Sequence, residues 1–219
     1  MIMVTSSYSS ECRTWEEVIQ KYKFIIFDLD NTLYDETLYL RQAYHKISAY
    51  LARISEWGQK EIFIYLENEL IHSNQSGSFT RLLEKLSLPS HEMSNILDIL
   101  RTQKLDEKMR CFPVITDFLD KGTSQGIRFF ILTNGNILQQ QNKILHLELS
   151  DHFQNHDIYY ADIIEPKPSP EGLLQIVRQN NLTVRDCIFI GDDKTDEIAA
   201  KRACMAFIYI KKIVPENPR

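Results

Sequence analysis

FIIFDLDNTLYDE, residues 24–36, is a short apolar run that ends abruptly in acids. Its length and partly β-branched character predict a buried strand with functional groups at its C-terminal tip. Asp28 and Asp30 are two residues apart, so on a straight strand both side chains face the same side. Two acids together at the end of an apolar strand are costly unless something positive compensates them. A divalent cation is the natural remedy, and magnesium takes hard oxygen ligands. Read alone, the pair fits either such a site or two solvated turn acids at the end of a strand.

Outward from this strand the texture changes. Residues 1–13 read as a Ser-rich lead-in, and Thr14 with Glu17 forms a capping-box pattern for a short helix ending near Lys21. From Asp35 to Lys108 the spacing is helical. Leu40, Tyr44, Ile47, Leu51 and Ile54 lie on one face, and Ile62, Tyr65, Leu66 and Leu70 follow Gly58. Phe79, Leu82, Leu83 and Leu86 come after the loop HSNQSGS, and Ile96, Leu97 and Leu100 after Pro89. The segment predicts about four helices and no strand, with Tyr39, Trp57 and Phe63 as packing residues.

After Pro113 helices and strands alternate. A helix through Val114 and Phe118 precedes the strand IRFFILT, and a helix through Ile137 and Ile144 follows it. Ile158–Ala161 reads as a weaker strand, Pro170 suits a helix start, and CIFIG and MAFIYI read as the last strands. Apolar strands joined by helices imply an α/β fold with a mostly parallel sheet covered on both faces.

Three further strand-end stretches carry chemistry. ILTNGN offers Thr133 and Asn134 as uncharged donors to an anionic oxygen, although Asn-Gly is also a common turn. EPKPSP holds Lys167 between two prolines that restrict its backbone. IGDDKTDE places Asp192, Asp193 and Asp196 just after CIFIG. If both acid clusters converge beside Lys167, the site has metal ligands, a nucleophile and charge compensation. Open parallel sheets bind ligands at the C-terminal ends of their strands, where all of these residues fall.

Composition narrows the function classes. The net charge of −5 gives no general support for nucleic-acid binding. No apolar stretch is long enough to span a membrane, and MIMVTSSYSSEC lacks a signal-peptide core. Cys12, Cys111, Cys187 and Cys204 have no CxxC spacing, so neither a disulfide framework nor a zinc site is expected. A reducing, cytoplasmic location is the default expectation.

FDLDNTL, ILTNG, KPSP and GDDKTD, in that order and in those strand contexts, resemble the haloacid dehalogenase-like hydrolase superfamily over roughly residues 22–210. The resemblance implies a Rossmann-like parallel sheet of order 5-4-1-2-3. It also implies a small helical cap domain inserted after the first strand, giving a core of residues 1–34 and 109–219 and a cap of 35–108. It implies a Mg2+-dependent phosphatase working through an aspartyl-phosphate, with a small phosphorylated metabolite such as a nucleotide or sugar phosphate as substrate. Asp28 would be the nucleophile, and Asp30 would protonate the leaving group and then activate water. Thr133 and the backbone amide of Asn134 would contact the phosphoryl group, and Lys167 would bridge nucleophile and phosphate. Asp28, the Asp30 carbonyl and Asp192 would hold the metal, while Asp196, with Asp193 able to share the role, would fix Lys167 or the metal shell. The aspartate at position 30 separates this chain from dehalogenases and phosphonate-cleaving relatives. Phosphomutases keep both acids and are the alternative enzyme, and a non-catalytic regulatory protein retaining the fold is the other class. Tyr34 and Arg41 are near enough in sequence to contact substrate, but Arg41 reads more readily as a solvated helix arginine. Monomer and homodimer both remain open. Cys204 stands where many relatives have glycine.

Overall fold

The fold is that of a computed structural model describing residues 12, 14–72, 77–147 and 149–213. The Ser-rich lead-in, most of the HSNQSGS loop and the C-terminal tail lie outside the described residues. Five strands form one parallel sheet: β1 (Phe24–Phe27), β2 (Arg128–Thr133), β3 (Ile158–Tyr160), β4 (Cys187–Gly191) and β5 (Ala206–Tyr209). Their order is β3-β2-β1-β4-β5, which is the expected 5-4-1-2-3 seen from the opposite edge. β1 is central, with Phe27 level with Ile131 of β2 and Ile190 of β4. The strand tips carrying Asp28, Thr133 and Asp192 are therefore adjacent by register.

Side-chain alternation loads both faces of the sheet. Ile26, Phe130, Leu132 and Phe189 pack in one cluster with Leu173 and Ile176 of α8 (Glu171–Gln179) and Ala199 and Ala200 of α9 (Lys194–Arg202). Phe27 and Phe129 lie in an aromatic group with Phe118 of α6 (Pro113–Ser124) and Trp15 of α1 (Trp15–Lys21). The Trp15 and Phe118 ring centroids are 4.0 Å apart, and such a pair adds about 0.5–1.5 kcal/mol beyond its area burial. The expected capping box holds: Thr14 accepts from the Glu17 amide and Glu17 from the Thr14 amide, each at 3.3 Å.

The chain divides into two compact units. One comprises Met1–Asp35, Arg110–Ile137 and Leu147–Arg219 and contains the sheet. The other comprises Glu36–Met109 and Leu138–His146. Its helices are α2 (Glu36–Leu51), α3 (Gln59–His72), α4 (Ser78–Lys85), α5 (Glu92–Thr102) and most of α7 (Ile137–His146). Leu40, Tyr44, Ile47 and Leu51 are buried as the spacing predicts, whereas α2 stops at Leu51 and leaves Ile54 exposed.

The grouping of residues 138–146 with the inserted helices departs from the expected boundaries, and its cause is polar. Asn142 Nδ2 donates to the Gln103 carbonyl at 2.9 Å and to the Tyr39 hydroxyl at 3.1 Å. Lys143 Nζ lies 2.8 Å from Glu36 Oε1 and 5.3 Å from the Tyr39 ring centroid. The helix wears its polarity inside out: Gln140 and Lys143 are buried, while Leu138 and Leu145 are 58% and 75% exposed. Tyr39 is a packing residue, as expected, with its hydroxyl on the Leu100 carbonyl at 2.6 Å.

Candidate active site

Asp28 directly follows β1, and its amide donates to the Ile190 carbonyl at 2.9 Å, extending the β1–β4 pairing by one step. That pairing carries the carboxylate to the C-terminal end of the central strand while keeping it buried. The backbone then turns sharply. Asn31 has φ 56°, a left-handed conformation that asparagine tolerates better than most residues. The turn returns Thr32, whose hydroxyl donates to Asp28 Oδ2 at 3.3 Å. It also brings the Tyr34 hydroxyl to 2.6 Å from Asp30 Oδ1.

Lys167 joins this cluster from the segment between β3 and α8. Its Nζ lies 2.5 Å from Asp28 Oδ1 and 2.7 Å from Asp196 Oδ1, and all three side chains are buried. The Phe189 ring centroid is 5.5 Å from the same nitrogen. The main chain of Lys167 is also held. Asn134 Oδ1 accepts from the Lys167 amide at 2.9 Å, and Asn134 Nδ2 donates to the Lys167 carbonyl at 3.0 Å. One residue on, the Pro168 carbonyl accepts from Arg202 at 3.0 Å.

The third component is the β4–α9 turn. Asp193 caps α9, accepting from the amides of Thr195 at 2.5 Å and Asp196 at 3.2 Å. Its carboxylate is thus committed to the helix start, while Asp196 alone of the two meets Lys167 among the described contacts. Asp196 Oδ2 accepts from the amides of Asp192 at 3.2 Å and Asp193 at 3.4 Å. Gly191 makes this possible, because Asp196 fills the space beside its Cα.

One carboxylate oxygen from each of Asp28, Asp192 and Asp196 lies within 4.8 Å of the other two. The electrostatics of this crowding are plain. Burial pushes the Asp28 carboxyl well above its usual range against the pull of Lys167, and the Asp196 and Asp30 charges push the same way. Asp192 is raised to about 6 by burial and by Asp196 and Asp193. Burial alone would lower Lys167, but Asp28 and Asp196 outweigh it and hold the ammonium above its ordinary value. Asp193 moves the other way: burial would raise it, yet the Thr195 hydroxyl and the Thr195 and Asp196 amides bring it below normal. Three converging acids beside a single lysine leave excess negative charge on hard oxygen donors, a set that fits a small divalent cation. Of the three, Asp196 is engaged by Lys167 and two amides, and Asp28 by Lys167 and the Thr32 hydroxyl.

The sheet unit thus contains Asp28, Asp30, Thr133, Asn134, Lys167, Asp192, Asp193 and Asp196, all at strand tips or the turns beyond them. Thr133 is buried at the end of β2, its hydroxyl donating to the Asn134 carbonyl at 3.2 Å. Tyr34 is fully buried, and its hydroxyl serves Asp30. Arg41 belongs to the helical unit, where its half-exposed guanidinium lies 3.2 Å from Glu67, the ordinary helix-surface arrangement. Sequence reasoning missed the Thr32, Tyr34 and Asn134 side-chain contacts. Only the turn-forming character of Asn134-Gly135 hinted at one of the loops that make them.

Comparison with known proteins gives a consistent pattern. A haloacid dehalogenase-like hydrolase family model matches residues 25–210. Glyceraldehyde 3-phosphate phosphatase of Pyrococcus abyssi is 27% identical over 197 residues, spanning 86% of this chain and 81% of that protein. Phosphoglycolate phosphatase of Salmonella typhi is 24% identical over 202 residues, spanning 84% and 79%. Among solved structures, a protein assigned as a beta-phosphoglucomutase from Thermotoga maritima superposes with a TM-score of 0.66 at 20% identity, covering 84% of this chain and 83% of that one. CbbY from Rhodobacter sphaeroides in complex with phosphate gives 0.61 at 19% identity, covering 86% and 85%. The two structural likenesses concern the fold alone. The family match takes in all of the sheet but the first residue of β1 and all of the clustered acids, and on that basis the chain belongs to the haloacid dehalogenase-like hydrolase family.

Proposed function

We propose that this chain is a magnesium-dependent phosphoric monoester hydrolase acting on a small phosphorylated metabolite, with an aspartyl-phosphate formed on Asp28. The observation that carries this reading is the placement of Lys167 Nζ within 2.7 Å of both Asp28 and Asp196, beside a third converging carboxylate. The phosphatase names of the curated relatives support the reaction class.

Asp28 attacks phosphorus in line, and the P–O bond to the leaving alcohol breaks as the Asp28 O–P bond forms. Lys167 stabilises the ionised nucleophile and the charge on the transferring group. Thr133 and the Asn134 amide donate to phosphoryl oxygens. Asp30, oriented by Tyr34, gives a proton to the departing alkoxide and then takes one from the water that hydrolyses the acyl-phosphate. Asp28, Asp192 and the Asp30 carbonyl would hold magnesium, which would supply further neutralisation of the phosphoryl charge and favour the ionised form of Asp28. The helical insertion acts as a cap that selects the leaving group, which leaves nucleotides, sugar phosphates and smaller phosphorylated acids within the substrate class.

The test is phosphate release from a panel of phosphorylated metabolites with magnesium, ranked by kcat/KM, set against Asp28→Asn protein. Turnover in wild type and none in the variant is the expected result. Equal turnover in both would overturn the covalent mechanism. A strict requirement for a bisphosphate activator, with isomer as the product, would replace hydrolysis by phosphomutase chemistry.

A further inference from the structure

We infer that Asn134 is a positioning residue whose carboxamide acts through the main chain of Lys167, so that its side chain contributes to turnover without binding the substrate. The inference deepens the phosphatase reading and rests on it.

The geometry is specific. The carboxamide meets both polar groups of one residue, accepting from the Lys167 amide at 2.9 Å and donating to the Lys167 carbonyl at 3.0 Å. A neighbouring β-strand would make the same pair of bonds, and together they fix both the position and the tilt of the backbone at Lys167. This matters because lysine reaches its partners through a four-carbon stem carrying about 2 kcal/mol of rotamer entropy. Where the stem begins decides whether Nζ falls between Asp28 and Asp196. Observed, it lies 2.5 Å from one and 2.7 Å from the other.

Asn134 is also well mounted for the task. It follows Thr133 at the tip of β2, whose Phe130 and Ile131 pair with Ile26 and Phe27 immediately before Asp28. The strand pair that sets the nucleophile therefore also sets the clamp on the lysine that meets it. Arg202 adds a hold on the next carbonyl, but it does so from an exposed side chain at the end of α9, where solvent competes. Half of the hydrogen-bonding capacity of the Asn134 carboxamide is spent on Lys167.

The experiment is a double-mutant cycle read on two phosphate esters with different leaving groups, using the full chain with magnesium. Asn134→Ala should lower kcat by about 10- to 100-fold, by the same factor for both esters, with KM changed less than about threefold, as expected for a misplaced group. Asn134→Asp keeps an acceptor for the Lys167 amide and should recover part of that loss, which keeps the test alive if the alanine variant does not fold. In a Lys167→Ala background, Asn134→Ala should cost less than about twofold more, because the group it positions is gone. Full additivity in the cycle would overturn the inference, as would a KM increase confined to one ester. Both results presuppose an active wild type. A wild type that hydrolyses no ester would instead overturn the phosphatase reading and remove the inference with it.

Discussion

The carboxylate of Asp196 occupies the space in which a side chain at Gly191 would begin: a Cβ there would stand 2.3 Å from Asp196 Oδ2. The contact is with the group that accepts the Asp192 and Asp193 amides and pairs with Lys167. Gly191→Ala should therefore displace Asp196 and, with it, the lysine. We expect a loss of about 1–3 kcal/mol in stability from overpacking, and a larger proportional loss of turnover. Urea denaturation and steady-state kinetics on the same preparation check this, and a fully active, fully stable variant would contradict it.

Tyr34→Phe removes the hydroxyl that holds Asp30 at 2.6 Å. In the step where Asp30 gives up its proton the bond is to a neutral carboxyl, worth about 0.5–1.5 kcal/mol, so kcat should fall by roughly 2- to 10-fold. The fall should be steeper for alkyl phosphates than for aryl phosphates, since a good leaving group needs little protonation. An equal fall for both would argue that Tyr34 serves only the fold of the turn.

The acid cluster ties stability to pH in a definite direction. The Asp192 carboxyl is raised from 3.8 to about 6 in the folded protein, with burial the main cause, and Asp28 is shifted the same way. A raised carboxyl stabilises the fold in its protonated form. That contribution is full below the unfolded pKa and is lost as pH rises through the folded one. Metal-free protein should thus lose thermal stability as pH climbs through about 6, beyond any trend shown by an Asp192→Asn control. Magnesium competes with those protons, so its stabilising shift should be larger at pH 7.5 than at pH 5. Thermal melts in chelator and in magnesium at both pH values test this, and a pH-independent magnesium shift would count against Asp192 as a ligand.

Within the helical unit, Lys143 is buried against Glu36 at 2.8 Å. Removing one partner of a fully buried ion pair commonly costs about 3–5 kcal/mol, and because Glu36 is only partly buried the loss here should be about 1–3 kcal/mol. Lys143→Ala should show a loss of that order in denaturant midpoints. Replacing both partners, Lys143→Met with Glu36→Leu, should restore much of it. A double variant no better than the single one would mean that the lysine matters through its packing on Tyr39.

Much of this architecture was legible in the chain. Buried strands are short apolar runs, and FIIF, RFFILT and CIFIG announce themselves. The sheet order, and the roles expected of Asp28, Lys167 and Asp192, rest on the resemblance, since apolar runs do not say which strands are neighbours. What stayed hidden was polar and long-range. Asn134 and Lys167 are 33 residues apart and no periodicity links them. Helix α7 is a related case: the sequence places a helix through Ile137 and Ile144, but not that Gln140 and Lys143 are its buried residues while Leu138 and Leu145 are exposed. A hydrophobic pattern carries no information about a helix docked through hydrogen bonds.

That docking has a practical consequence for anyone dissecting the molecule. The chain passes between the two units four times, at residues 35–36, 109–110, 137–138 and 146–147. A fragment cut at the first two crossings would leave behind Asn142 and Lys143 and so lose their contacts with Tyr39, Gln103 and Glu36. Chimeras that exchange the helical unit with that of a relative must graft two separated segments together, or the transplanted helices will arrive without their keystone.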